Sequence, residues 1–277
     1  MILPLSVILP TYNRVHLLKE ALDSVFSQTA QASQIIVADD GSNDGTLDLL
    51  STYSQKHPRL QVCKLAHSGF PGRVRNSGVE LAQYDWLAFL DSDDLWQGGK
   101  LEKQWSHLPR FLGHTREVWL RGEKILSQKG QKHLRDGNIF EDCLKKCIIG
   151  PSTVLMRKDV FHEFGGFRED LEVAEDYEFW LRICSKHPMD YLDLPLTVKR
   201  DGSWPQLSRK YGYIEGFRLN ALYDLVENSF FKGEYLDIAV EELIRKAQIW
   251  VLGAEKRQNS DEAKLWQTRI DRWINAV

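Results

Sequence analysis

The amino-acid sequence predicts an α/β protein: a mainly parallel sheet with helices on both faces, followed by a C-terminal helical extension. Three observations predict it. Apolar runs of strand length alternate four times with helix-periodic segments over about the first ninety residues, as right-handed crossovers between parallel strands require. The run Trp86-Leu87-Ala88-Phe89-Leu90 shows no polar alternation, the mark of a strand buried on both faces. From about Tyr211 to Val277 the chain is a string of amphipathic helices.

In order, Ser6 to Leu9 reads as a first strand stopped by Pro10, and Asn13 as the cap of a helix carrying Leu18, Leu22 and Val25. Ile35 to Ala38 is the second strand. The turn Asp39-Asp40-Gly41-Ser42-Asn43-Asp44-Gly45-Thr46 follows it, with Asp44 or Thr46 capping a helix through Leu47, Leu50 and Tyr53. Leu60 to Leu65 is the third strand; a basic, glycine-containing stretch, Gly69 to Asn76, leads into a helix ending near Leu81. The second half is less regular. Glu117-Leu120 and Lys124-Leu126 flank Arg121-Gly122 like a hairpin, and Lys129 to Arg135 is a basic loop. Thr153 to Met156 reads as a strand, and Val160, Phe161 and Phe164 as a short helix ended by Gly165-Gly166. A helix begins at Glu175-Asp176, its first-turn acids readable as complements of the helix dipole.

The size allows a sizeable core, as one large or two fused domains. A net charge of −3 argues against a basic nucleic-acid surface. Cys63, Cys143, Cys147 and Cys184 have neither disulfide nor zinc spacing, so reduced, cytoplasmic thiols are expected, with Cys143 and Cys147 on one apolar helix face. The first residues lack a signal peptide's basic region, and no apolar run approaches a membrane span.

Asp91, Asp93 and Asp94 stand where the fourth strand leaves the sheet. Ligands of open parallel sheets bind outside the carboxyl ends of the strands. Carboxylates at this density repel one another unless a cation, such as a hard divalent ion shared with substrate phosphates, neutralises them. The alternative is an acidic turn capping the next helix. Asp39-Asp40 and Pro10-Thr11-Tyr12 end two further strands, and all three ends converge on one cleft suited to a nucleotide. Neither G-x-G-x-x-G nor G-x-x-x-x-G-K occurs, which disfavours dinucleotide oxidoreductases and P-loop enzymes and leaves the pyrophosphate in need of a metal.

Taken together, Val7 to Arg14, Asp39 to Thr46, Arg75-Asn76, Leu90 to Asp94 and Glu175-Asp176 resemble the family-2 glycosyltransferases of the GT-A fold, over roughly residues 5 to 210. The resemblance implies inverting sugar transfer from a nucleotide sugar, most simply a UDP-sugar, assisted by Mn²⁺ or Mg²⁺. The acceptor hydroxyl would belong to a glycan or lipid-linked glycan in polysaccharide or glycoconjugate synthesis. It implies a nucleotide-sugar half over 1–95, an acceptor half over 96–210 and a helical extension over 211–277. It places Pro10, Thr11 and Tyr12 around the base, Asp40 on the uracil ring nitrogen, and Arg75 on base or phosphates; as a sequence reading, Arg75 is equally a surface helix arginine. Asp91 and Asp93 match the D-x-D element, Asp91 near the ribose and Asp93 on the metal, with Asp94 as an alternative ligand. Asp176 matches the general base, and Glu175 beside it would raise its pKa. Ser203 stands where related bacterial members carry a histidine that completes the metal shell; His67 and His133 are the candidate substitutes. A nucleotide-binding protein that has lost turnover is therefore one alternative, and a metal-dependent phosphoryl-transfer enzyme another. The expected location is cytoplasmic, at most peripheral to the inner face of the membrane. The C-terminal helices could pack on the catalytic domain, form a homodimer or present a partner surface.

Overall fold

The computed structural model describes residues 1–128, 133, 135–202 and 214–274. Its first half comprises β1 (Ile2–Thr11), α1 (Val15–Phe26), β2 (Gln31–Asp39), α2 (Thr46–Lys56), β3 (Leu60–Lys64), α3 (Pro71–Glu80) and β4 (Trp86–Phe89). Then come β5 (Leu95–Trp96), α4 (Lys100–Ser106), β6 (Leu112–Arg121), β7 (Lys124–Leu126) and α5 (Phe140–Lys145). A 3₁₀ turn at Pro151–Thr153 precedes β8 (Leu155–Arg157), α6 (Lys158–Glu163), α7 (Glu175–Cys184) and β9 (Asp190–Asp201). Helices α8 (Ile214–Glu227), α9 (Glu234–Lys256) and α10 (Ser260–Ile274) close the chain.

Among the described residues the strands form one nine-stranded sheet, ordered β3-β2-β1-β4-β8-β6-β9-β5, with β7 paired to β6. Strands β3, β2, β1 and β4 are parallel, β6 and β9 are parallel, and β8 runs antiparallel to β4 and β6. The expected α/β class holds. Alternation along the buried strands supplies two apolar faces. Val7, Leu9, Ile35, Val37 and Ala88 meet Leu18 and Leu22 of α1 and Leu50 of α2. Ile8, Ile36, Leu87 and Phe89 meet Val79 of α3 and Phe179 and Trp180 of α7. That second core continues into Leu219, Leu222 and Val226 of α8, Leu243 of α9 and Trp266 of α10. The helical extension therefore packs on the α/β part. No helix among the described residues is long and apolar enough to cross a membrane.

Several elements differ from the sequence reading. β1 starts at Ile2 and runs through Pro10 to Thr11. Its pairing with β4 ends at Ile8–Phe89, so the proline's missing N–H falls on the side where no ladder partner remains. Asn13 does not cap α1. It adopts a positive φ of 47° and ties two turns together, donating to Ser42 Oγ and accepting from Asn43 N–H, each at 2.8 Å. Asp44 caps α1 from across the cleft, accepting Val15 N–H at 2.9 Å, and also takes Thr46 N–H of α2. Cys143 is buried beside Cys184, but Cys147 does not share its helical face, because α5 ends at Lys145 and Lys146 is extended. Pro151 opens a 3₁₀ turn, so β8 begins at Leu155 rather than Thr153. Strand β9 carries no clean alternation; Pro195 sits at a register shift against β6, where a periodic pattern breaks.

Candidate active site

The ends of β1, β2 and β4 open on one side of the sheet, as parallel order dictates. Gly41, at φ 78°, lets residue 67 lie close: a β carbon there would meet His67 N at 2.8 Å. Asp40 then fastens the loop. Its Oδ1 accepts from Ser68 N–H and Oγ–H, and its Oδ2 accepts from Gly69 N–H and contacts His67 Nδ1, all within 2.8–2.9 Å. Four partners fill a carboxylate's acceptor sites. Asp39 differs. Its Oδ2 accepts Ser42 N–H at 3.0 Å, but its buried Oδ1 has no partner, and neither has the buried Oγ1 of Thr11, the residue paired with it across β1 and β2. Two orphaned polar atoms on neighbouring strand ends call for a ligand that supplies their hydrogen bonds. Tyr12 stacks on His67 with centroids 3.9 Å apart and adds a flat aromatic wall.

The expected acids do meet in one cleft, and each is held by its own partner. Arg75 is buried, so it is no surface arginine. Its guanidinium donates to Asp91 Oδ1 at 2.7 Å and to Glu175 Oε1, bridging the end of β4 to the start of α7. Burial opposes ionisation of Asp91, but Arg75 outweighs it and holds the carboxyl below its ordinary pKa. Asp93 pairs through Oδ2 with Arg14. Ser152, from the 3₁₀ turn, accepts Asp91 N–H at 3.0 Å and donates to Asp94 Oδ2 at 2.6 Å. Asp94 is 3% exposed. Burial raises its pKa well above the usual range despite Lys199, with Asp93 and Asp91 adding to the rise. The acids lead into the short strand β5 rather than capping a helix.

At the start of α7, Ala174 at φ 69° turns the chain so that Glu175 and Asp176 enter the cleft side by side. Glu175 faces Arg75. Burial, with Asp176 adding to it, pushes its pKa up to about 7, since Arg75 is shared with Asp91 and cannot compensate in full. Asp176 Oδ1 accepts its neighbour Tyr177 N–H at 2.7 Å, and the Cys147 thiol stands 3.5 Å from Oδ2. Sequence reasoning put Asp39 at a strand end on the cleft without a role of its own, and it missed Ser152 and Lys199. For Asp39 the signal was the neighbouring strand-end acid; for the others, nothing local marks them.

No group of three His, Cys, Asp or Glu side chains among the described residues is arranged to hold a metal unaided. The donor set nonetheless fits a hard cation shared with phosphates. Arg75 and Arg14 engage Asp91 Oδ1 and Asp93 Oδ2, which leaves the second oxygen of each carboxylate for an ion. Such ions commonly bind one or two carboxylates and complete their shell with substrate phosphates. Asp94 is a poor alternative, being buried and bonded to Ser152. His67 is engaged by Asp40. Ser203, Trp204 and the Gln206-Leu207-Ser208 run lie outside the described residues, as do Lys129 to Gln131 of the basic loop.

The glycosyl transferase family 2 model matches residues 6–165, more than half of the chain and all three strand ends. The chain belongs to this family. Among relatives of this family-2 chain, the UDP-Glc:alpha-D-GlcNAc-diphosphoundecaprenol beta-1,3-glucosyltransferase WfgD of Escherichia coli is 30% identical over 245 residues, 83% of this chain and 90% of the relative. The putative teichuronic acid biosynthesis glycosyltransferase TuaG of Bacillus subtilis is 31% identical over 65% of this chain and 72% of its own. An uncharacterized glycosyltransferase of Rickettsia felis is 31% identical, but the chain spans only 32% of its length. Among solved structures, Staphylococcus aureus TarS 1–349 in complex with UDP superposes with a TM-score of 0.63 at 19% identity, covering 99% of this chain and 92% of that one. The Pyrobaculum calidifontis mannosyltransferase PcManGT, in complex with GDP-Man and Mn²⁺, gives 0.58 at 15% identity, covering 96% and 84%. These likenesses bear out the GT-A fold.

Proposed function

We propose that this family-2 chain transfers a sugar, with inversion, from a UDP-sugar to a hydroxyl of a glycan or lipid-linked glycan. One observation carries the reading: Arg75 locks the strand-end acid Asp91 to Glu175, so that Asp176 is held beside the cleft where a nucleotide would lie. In this reading residues 1–95 bind the donor, 96–210 shape the acceptor side, and 211–277 brace the acceptor half. Thr11, Pro10 and Tyr12 surround the base. The free Oδ1 of Asp39 accepts the uracil ring N–H, while Asp40 holds the loop that walls the pocket. This revises the expectation for Asp40, whose acceptor sites are filled.

Asp91 and Asp93 would hold Mn²⁺ or Mg²⁺, which neutralises charge on the departing diphosphate. Asp176 takes the proton of the acceptor hydroxyl as its oxygen attacks the anomeric carbon opposite the leaving group. Arg75 keeps that base at a fixed distance from the nucleotide through two charge-assisted bonds. The lipid-linked acceptor named for the Escherichia coli relative supports an acceptor of that class, reached from the cytoplasmic face by peripheral association. A homodimer through the C-terminal helices would use the faces of α9 and α10 turned from the core.

The test is calorimetry with UDP, with and without Mn²⁺, alongside UDP release from a panel of donors and acceptors. Asp176→Asn should bind UDP as the wild type does, yet lose roughly 10²–10⁴-fold in kcat. Transfer at the wild-type rate would reduce Asp176 to a helix-start acid. Tight UDP binding with no transfer by the wild type would favour a binding protein.

A further inference from the structure

One cation of the cleft has no task in that mechanism. Lys199 lies two residues beyond Thr197 on β9, so their side chains share a face of the strand. Thr197 Oγ1 donates to Ser152 O at 3.0 Å, which directs this face toward the turn that clips Asp91 and Asp94. Across the sheet, Glu117 pairs with Thr197 and Trp119 with Lys199, and the Lys199 ammonium stands 5.7 Å from the Trp119 ring centre. Gly150 makes room there: a β carbon would come within 2.8 Å of Glu117 Oε2 and 3.9 Å of Lys199 Nζ.

Burial disfavours the charge of Lys199, but Glu117, Asp94, Asp91 and Asp176 surround it and raise its pKa. Among the described residues, however, no carboxylate oxygen lies within 4.0 Å of its Nζ. The neighbouring cations are committed: Arg14 to Asp93, Arg75 to Asp91 and Glu175, Arg200 to Glu20 and to Asp93 O. Lys199 is thus held in the cleft by a field of acids rather than by a direct bridge, with its N–H donors available to a ligand.

Its position selects the ligand. Asp91 and Asp94 mark the nucleotide end of the cleft and Asp176 the acceptor end: the Ser152 turn against this face holds the first two, and Gly150, beside Lys199, lies three residues from Cys147, whose thiol is 3.5 Å from Asp176 Oδ2. The bond from the anomeric carbon to the diphosphate oxygen must break between them. We propose that Lys199 donates to the diphosphate of the bound nucleotide sugar, at the oxygen that takes up the electron pair of that bond. The inference rests on the glycosyltransferase reading. In the step, the acceptor oxygen bonds the anomeric carbon, its proton passes to Asp176, and the diphosphate leaves with the electron pair. Lys199 keeps its proton and stabilises the new charge through a charge-assisted hydrogen bond.

Lys199→Met keeps the stem and removes the charge; Lys199→Arg keeps the charge. Calorimetry on the full chain with UDP, UMP and uridine reads the effect. Lys199→Met should weaken UDP binding roughly 10- to 100-fold and leave uridine binding unchanged, with UMP between them. Lys199→Arg should recover most of the UDP affinity. Unchanged UDP affinity in Lys199→Met overturns the proposal, as does an equal loss for UDP and uridine, which would mark a structural lysine. A wild-type chain that binds neither UDP nor uridine overturns the underlying reading instead.

Discussion

Replacing Arg75 by methionine tests the link between the two halves of the site. Arg75 is 5% exposed, bonds Asp91 at 2.7 Å and Glu175, and lies 5.4 Å over the ring of Phe167. Methionine fills much of the stem's volume, so what is lost is charge. Buried Glu175 and half-buried Asp91 then remain without their shared cation. Removing one partner of a buried pair costs about 3–5 kcal/mol, a large share of the 5–15 kcal/mol that typically holds a domain together. With an m value of about 3 kcal/mol/M, the urea midpoint should fall by about 1–1.7 M. The deficit also has a pH signature. Without Arg75 the folded pKa of both acids rises, so the variant should lose stability relative to wild type as pH climbs from 5 to 8. Adding Glu175→Gln neutralises one orphan and should recover part of the loss. Urea unfolding at pH 5 and pH 8 reads all three outcomes. A loss below about 1 kcal/mol at pH 8, or one independent of pH, would refute the reasoning.

Asp39→Asn turns an acceptor into a donor where the base N–H is expected. UDP affinity should fall by about 1–3 kcal/mol without loss of thermal stability. Asp40→Ala should instead lower Tm, because four contacts of the 67–69 loop go with it; if it alone abolishes UDP binding in a fully folded chain, the two roles are reversed. Glu175, with a folded pKa of about 7 against an ordinary 4.5, keeps a proton that the unfolded chain has lost between those values. Stability should therefore decline as pH rises through that window, by up to about 3 kcal/mol, and Glu175→Gln should remove the slope. Equal slopes in the two proteins would show that Glu175 is not the titrating group.

The four parallel strands, the helices between them and the strand-end acids were legible in the sequence because local patterns encode them. Apolar runs such as Trp86 to Leu90 show burial on both faces, and the acids follow immediately after. The packing of the tail was not legible: an amphipathic face in α8 or α9 shows that something covers it, but not what. Strand β9 also escaped, since Pro195 and a register shift break the period that would announce it. Within the site, sequence supplied residue types and tertiary structure supplied partners. Asp39 and Asp40 are equivalent as letters, yet only the approach of residues 67–69 fills one carboxylate and leaves an oxygen of the other bare. Arg75 reads equally as a surface arginine or as a partner of base or phosphates until α7 brings Glu175 against it from 100 residues away. Lys199 joined the cleft only because β6 and β9 carry it to the acids. Hydrophobic period is a local property of the chain, whereas electrostatic and hydrogen-bond partnership depends on distances through space that only the folded sheet fixes.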